Sequence, residues 1–148
     1  QLGAGQTELA ILAVSRSLRM ALAAMILLSI LMSWFAEDLA KFMIDDPEVV
    51  HLTVVFIYII ALAQPLMAIE FTLGGALRGA GDTRFPLIAT LGGIIIGRLI
   101  PASTFVWLGL SVYWIFGVML LDYAIKAMLL LHRYRSRKWL NIDIGLTN

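Results

Sequence analysis

Four stretches of this chain are apolar over roughly the 20 residues a helix needs to cross a hydrocarbon core of ~30 Å, and nothing else limits its possible folds so severely. The first runs from about Leu18 to Ala36, with Arg19 at its mouth and no charge in the seventeen residues from Met20 to Ala36. The second covers about Val49 to Leu77 and is interrupted by Gln64-Pro65 and Glu70, which predicts a kinked, partly protein-facing helix. The third is about Phe85 to Trp107, broken by Arg98 and Pro101, and the fourth about Leu110 to Leu131, holding Asp122 and Lys126. A soluble helical bundle would need polar faces at helical spacing. From Ala21 to Phe35 only Ser29, Ser33 and Trp34 offer any polarity, so no side of that helix can face water. The reading is an all-α integral membrane protein.

Composition agrees. Of 148 residues 61% are hydrophobic and 14% charged, with mean hydropathy +0.91, against about half apolar and a quarter charged in ordinary soluble domains. A net charge of +1 supplies no field for a nucleic-acid partner. The absence of cysteine excludes disulfides, Cys-ligated zinc and thiol catalysis within these residues. His51 and His132 are far apart, one beside an acidic loop and one in a basic segment, and read as plain interfacial histidines. No paired histidines or serine–base arrangement suggests an enzyme. Because the chain opens at Gln1 without an initiator methionine or signal segment, it is expected to begin partway through a longer protein.

The connections sort by charge. Glu37 to Glu48 holds five of the ten acids, Glu37, Asp38, Asp45, Asp46 and Glu48. Within it, Asp46-Pro47-Glu48 reads as an N-cap, a proline at the first helical position and an acid near the positive helix end. Four spans alternate sides, so the N-terminal segment, the connection Arg78 to Pro86 and a basic tail over 132–148 share one face. That face collects Arg16, Arg19, Arg78, Arg84, Arg133, Arg135, Arg137 and Lys138, eight of the eleven basic residues, whereas the other holds Lys41. The positive-inside tendency makes the arginine-rich side cytoplasmic. Trp34, Trp107, Trp114, Tyr134 and Trp139 fit interfacial aromatic belts.

The run Gly74-Gly75-Ala76-Leu77-Arg78-Gly79-Ala80-Gly81-Asp82-Thr83-Arg84-Phe85-Pro86 resembles the loop after the tenth helix of multidrug and toxic compound extrusion (MATE) transporters. Leu2-Gly3-Ala4-Gly5-Gln6 resembles the motif before their ninth helix, Asp46-Pro47-Glu48-Val49 the opening of the tenth, and Gly97-Arg98-Leu99-Ile100-Pro101 the middle of the eleventh. Arg135-Ser136-Arg137-Lys138-Trp139 is similar to the end of the twelfth. The resemblance implies helices nine to twelve of twelve, in the C-terminal lobe of a two-lobed transporter working by alternating access. It also implies a multi-pass protein of the cell inner (plasma) membrane that exports small organic cations or drugs in exchange for H⁺ or Na⁺. Its partners would be membrane lipid and the remaining helices of the same transporter, and no cofactor is expected. Sodium-coupled and eukaryotic branches carry an acid near the position of Met67, where this chain is apolar.

Particular residues carry distinct expectations. In the glycine-arginine loop, Gly79-Ala80-Gly81 is followed by Arg84 rather than a third glycine, which argues against a nucleotide cradle. A structural turn through Gly75, Arg78, Gly79, Gly81, Asp82 and Pro86 fits better, with Asp82 and Thr83 capping the next helix. Gly75 with Gly79, and Gly93 with Gly97, each clear one helix face for close contact. Glu70, with Met67 and Gly74 on its face, lies inside the second span, where a carboxylate needs a partner or water. It can exchange a proton, bind Na⁺, or serve as a paired structural group. Arg98 needs an acid or carbonyl, and Glu70 is one possibility. Asp122 and Lys126 are spaced for an intrahelical ion pair, with Lys126 also able to snorkel toward the membrane face. Gln64 beside Pro65 suits either a substrate-lining bend or packing. The leading function is ion-coupled efflux. The alternatives are a lipid-linked saccharide flippase, which favours a more basic cavity, and a non-transporting membrane scaffold.

Overall fold

Proline and small-residue chemistry decide how these apolar stretches become helices. In a computed structural model describing residues 2–141, helix α1 spans Thr7–Trp34, a short α2 spans Ala36–Met43, and α3 spans Pro47–Gly79. The third span, Arg84–Trp107, comprises α4 (Arg84–Gly92), a π-helical segment Gly93–Leu99 and α5 (Ile100–Trp107). Helix α6 covers Val112–Arg135 and a 3₁₀ turn covers Lys138–Asn141. Four helices are thus long and apolar enough to cross a membrane, and no strand occurs among the described residues.

The helix bounds depart from the apolar stretches, most at the start of α1 and the end of α6. Helix α1 begins at Thr7, eleven residues ahead of the expected Leu18, because its first turns pack toward the core around Ile11, Val14 and Leu18. Helix α6 continues to Arg135, so the basic segment begins as a helical extension of the fourth span, and the 3₁₀ turn follows. The segment 142–148 of the expected tail lies outside the described residues. Helix α3 opens as its sequence suggests: the Asp46 carboxylate accepts from the Glu48 N–H at 2.9 Å, with Pro47 at the first position. The acidic connection folds into α2, whose Ala36 and Ala40 are buried while Phe42 and Met43 are exposed.

Helix α3 is the spine of the bundle, with α1 on one flank and α6 on the other, and the third span packs chiefly on α6. Pro65 does not break α3. It lacks the N–H that Ala61 O would otherwise accept, and Ser29 Oγ of α1 donates to that carbonyl instead, at 2.6 Å. Beside this bond the α3 face carries buried Ala61 and Ala68, small enough for helices to approach where lipid removes the hydrophobic drive to associate. Pro101 likewise cannot donate to Gly97 O. The chain widens into π geometry just before it, with the Ile100 N–H reaching five residues back to Ile95 O.

A core of Leu73, Leu77, Ala80, Ala89, Leu130 and Trp139 sits toward the arginine-rich end. Trp139 stacks on Tyr134 at 5.6 Å between centroids and donates through Nε1 to Tyr134 O. This corrects the expectation of an interfacial belt for Trp139, which is buried because the 3₁₀ turn folds it back under α6, while Tyr134 stays partly exposed. Trp34, Trp107 and Trp114 are exposed, as are Met20, Leu27, Ile30, Leu62 and Ile96 along the spans. Such an inside-out surface is stable only against lipid or neighbouring helices.

The alternation of spans fixes a labelling pattern. In an otherwise cysteine-free background, membrane-impermeant thiol reagents should reach Thr83→Cys and Ser136→Cys from one side of the membrane and Lys41→Cys from the other. Labelling of Thr83→Cys and Ser136→Cys from opposite sides would be incompatible with this bundle.

Candidate functional site

Four charged side chains from three elements meet inside the bundle. Asp122 of α6 is fully buried, and its Oδ2 lies 3.1 Å from Lys126 Nζ one turn on and 3.2 Å from an Arg98 terminal nitrogen of the π segment. Lys126 Nζ also lies 3.7 Å from Glu70 Oε1 of α3. Lys126 is only 7% exposed and Glu70 15%, while Arg98 reaches in from the flank at 40%. With both acids ionised the quartet sums to zero charge, the condition under which ionised groups persist in a low-dielectric interior.

The local sequence makes this meeting possible. A Cβ added at Gly93 would stand 2.5 Å from Lys126 Cγ and 2.8 Å from Asp122 Oδ1; one at Gly97 would stand 2.8 Å from Asp122 Cα. The glycines remove the wall between the π segment and α6, so that backbone approaches backbone. The expected packing role of Gly93 and Gly97 is realised. At Gly75 and Gly79 no such contact occurs among the described residues: nothing lies within 4 Å of a Cβ at either position, and both are exposed. They lie on the face of α3 turned away from α6, whereas a Cβ added at buried Gly74 would stand 3.6 Å from the Arg78 guanidinium.

Three atoms of the quartet are buried without a hydrogen-bond partner: Glu70 Oε2, Asp122 Oδ1 and Arg98 Nε. Buried polar atoms are ordinarily paired, so the two carboxylate oxygens are points where a proton or a donor can be received, and Arg98 Nε one where an acceptor can be. Tyr123 adds a ring face 5.3 Å from Lys126 Nζ.

The sequence candidates divide. Glu70 and Arg98 do come into one network, but not as partners: Arg98 bonds to Asp122, and Glu70 faces Lys126. Lys126, read as an intrahelical partner able to snorkel, is buried and bridges α6 to α3. Met67 lines a cavity of about 130 Å³ with Ile59, Ile60, Ala63, Met119 and Tyr123. Gln64 points the other way, its amide 3.7 Å from Met32 Sδ of α1, because six residues of helix separate it from Glu70 by about two-thirds of a turn. The i, i+4 spacing of Asp122 and Lys126 was the sequence signal for the network, and its extension to Glu70 required the packing of α3 on α6.

A second polar cluster closes the arginine-rich end. Arg133 Nε donates to Asp82 Oδ2 at 2.7 Å, the guanidinium lies 5.1 Å from the Phe85 ring centroid, and Asp82 Oδ1 accepts from the Phe85 N–H at 3.3 Å. Asp82 thus caps α4, as its position suggests, whereas the Thr83 side chain makes no capping bond. Gly81, with φ of 90°, supplies the turn before it, and Pro86 is buried in the first turn of α4. Arg78, at the end of α3, stays exposed.

Comparison with known proteins places the chain among membrane transporters. The MatE family model matches residues 1–103. A probable multidrug resistance protein NorM of Thermotoga maritima is 36% identical over 108 residues, covering 71% of this chain and 23% of that protein. An uncharacterized transporter, YisQ, of Bacillus subtilis is 25% identical over 142 residues, covering 94% of this chain and 31% of its own length. The chain therefore spans less than a third of the length of these curated relatives. No solved structure matches it.

The glycine contacts set the order of mutational sensitivity. Gly97→Val should destabilise the detergent-purified protein by about 1–3 kcal/mol through overpacking on Asp122, seen as a lower thermal unfolding midpoint. Gly75→Ala should leave that midpoint unchanged or raised. Equal sensitivity at the two positions would contradict the observed packing.

Proposed function

This chain belongs to the MatE family of membrane transporters, and from that premise we propose that it supplies four helices, including the ion-coupling group, of a proton-driven exporter of organic cations. The observation that carries this reading is the neutral quartet of Glu70, Arg98, Asp122 and Lys126, which has one titratable arm free to change partners.

Asp122 holds Arg98 and Lys126 within hydrogen-bond range, whereas Glu70 meets only Lys126, at 3.7 Å, and keeps Oε2 unpartnered. Protonation of Glu70 removes its attraction for the Lys126 ammonium and leaves Asp122 tied to the π segment. The link between α3 and α6 opens while that between α6 and the third span stays closed. A proton needs one oxygen. A Na⁺ ion needs several, and among the described residues no three acidic or histidine side chains converge, while Lys126 already occupies the space between the two carboxylates. The donor set therefore favours H⁺ over the Na⁺ alternative at Glu70.

Charge balance also favours a cationic cargo over the anionic headgroup of a lipid-linked saccharide. Arg98 and Lys126 are both neutralised by acids, so this part of the interior has no excess positive charge with which to attract a phosphate. The positive-inside tendency supports a cytoplasmic position for the arginine-rich end, with α6's C-terminus, and the family resemblance supports the cell inner membrane as its place.

The test uses the whole transporter in proteoliposomes with a fluorescent lipophilic cation. Glu70→Gln should reduce pH-gradient-driven export by about 5- to 150-fold, the usual span of a coupling free energy, without altering the response to a Na⁺ gradient. Export that stays proton-driven at the unmodified rate removes Glu70 from the mechanism. A scaffold role predicts no export by the unmodified protein at all.

A further inference from the structure

A groove of about 250 Å³ opens at the arginine-rich end between the start of α1 and the turn after α6, lined by Ile11, Ser15, Tyr134, Arg135, Arg137 and Trp139. We propose that it binds the phosphodiester headgroup of an anionic phospholipid, gripped by Arg135 and Arg137.

The floor of the groove is prebuilt. Tyr134 and Trp139 stack face to face; Tyr134 OH donates to Ile11 O at 3.3 Å and Trp139 Nε1 donates to Tyr134 O at 3.0 Å. The polar tips of both rings are thereby engaged, leaving an apolar wall fixed to α1. The rim is cationic. Arg135 and Arg137 are exposed, and no ion pair engages either among the described residues, in contrast to Arg98 and Arg133. Arg137 has φ of 55°, the one non-glycine residue in the left-handed region among those described, and its N–H is held by Tyr134 O at 3.2 Å. That conformation reverses the chain after α6, so that residues two apart in sequence border one concavity instead of continuing around a helix.

Depth argues for a lipid rather than a soluble anion. Ser15 precedes Met20, where the uncharged run begins, by five residues or about 7 Å of helix, which is the thickness of the headgroup layer on one side of a bilayer. A phosphate between the two guanidiniums would be held by fork-shaped donors matched to its oxygens. Its acyl chains would continue along the same face of α1, where Ile26, eleven residues or about three turns on from Ser15, is exposed. Each of the two guanidiniums set against the headgroup adds roughly fivefold to the preference for an anionic lipid. This inference requires only that the chain is embedded in a membrane and stands independently of the coupling role of Glu70.

Native mass spectrometry of the whole transporter, titrated with phosphatidylglycerol or phosphatidylcholine, reads the site directly. Phosphatidylglycerol should bind in preference to phosphatidylcholine, and R135Q and R137G should each lower that preference by about fivefold. R137G retains the left-handed turn while deleting the side chain. R135Q, at an exposed helix end, carries the test should the turn variant lose its fold. R84Q, on the same membrane face but outside the groove, should leave the preference intact. The proposal is overturned if the two lipids bind equally, if R135Q changes nothing, if R84Q costs as much, or if millimolar inorganic phosphate displaces the lipid and so marks a soluble-anion site.

Discussion

The bundle is organised around a carboxylate with no access to solvent. Burying Asp122 among apolar helices is tolerable only because two cations are delivered to it, one from its own helix and one from the π segment, and because a second acid balances the second cation. Removing any one member leaves a net charge in a medium that solvates it poorly. The glycines of the third span are a condition of this arrangement rather than an ornament. Without their missing side chains Arg98 would be held a side-chain width farther off, and Asp122 would lose the cation that the third span delivers to it.

That dependence explains what could and could not be read from residues in order. Span number, the Asp46-Pro47-Glu48 helix start and the Asp122–Lys126 pair are local features, governed by composition or by i, i+4 spacing. Partner choice across helices is a different problem, because it depends on the rotational phase of each helix against its neighbours. The π segment shifts that phase just where Arg98 sits, so a count at 100° per residue cannot bring its side chain to Asp122 rather than Glu70. The same reasoning covers Gly75 and Gly79: their spacing resembles that of Gly93 and Gly97, but phase turns one pair toward α6 and the other away from it. Trp139 was legible as an aromatic near a membrane end, and its burial became evident only with the reversal at Arg137.

The two interior prolines illustrate one rule with two outcomes. Each deletes a donor from its helix. At Pro101 the backbone adjusts within its own chain, widening so that other carbonyls are met five residues on. At Pro65 the helix stays regular and a neighbour answers, the Ser29 hydroxyl taking up the Ala61 carbonyl. Lipid enforces both responses, since it offers an orphaned carbonyl no alternative partner.

The Ser29 contact has an effect on how two nearly featureless helices find their mutual height. Apolar surfaces slide past one another with little change in energy, and α1 presents mostly such surface to α3. A single hydroxyl meeting a single proline-freed carbonyl acts as an index mark: displacing α1 lengthwise by one turn, about 5.4 Å, strands an acceptor and forfeits ~1–3 kcal/mol. One serine thereby sets the vertical alignment of the first span on the third helix.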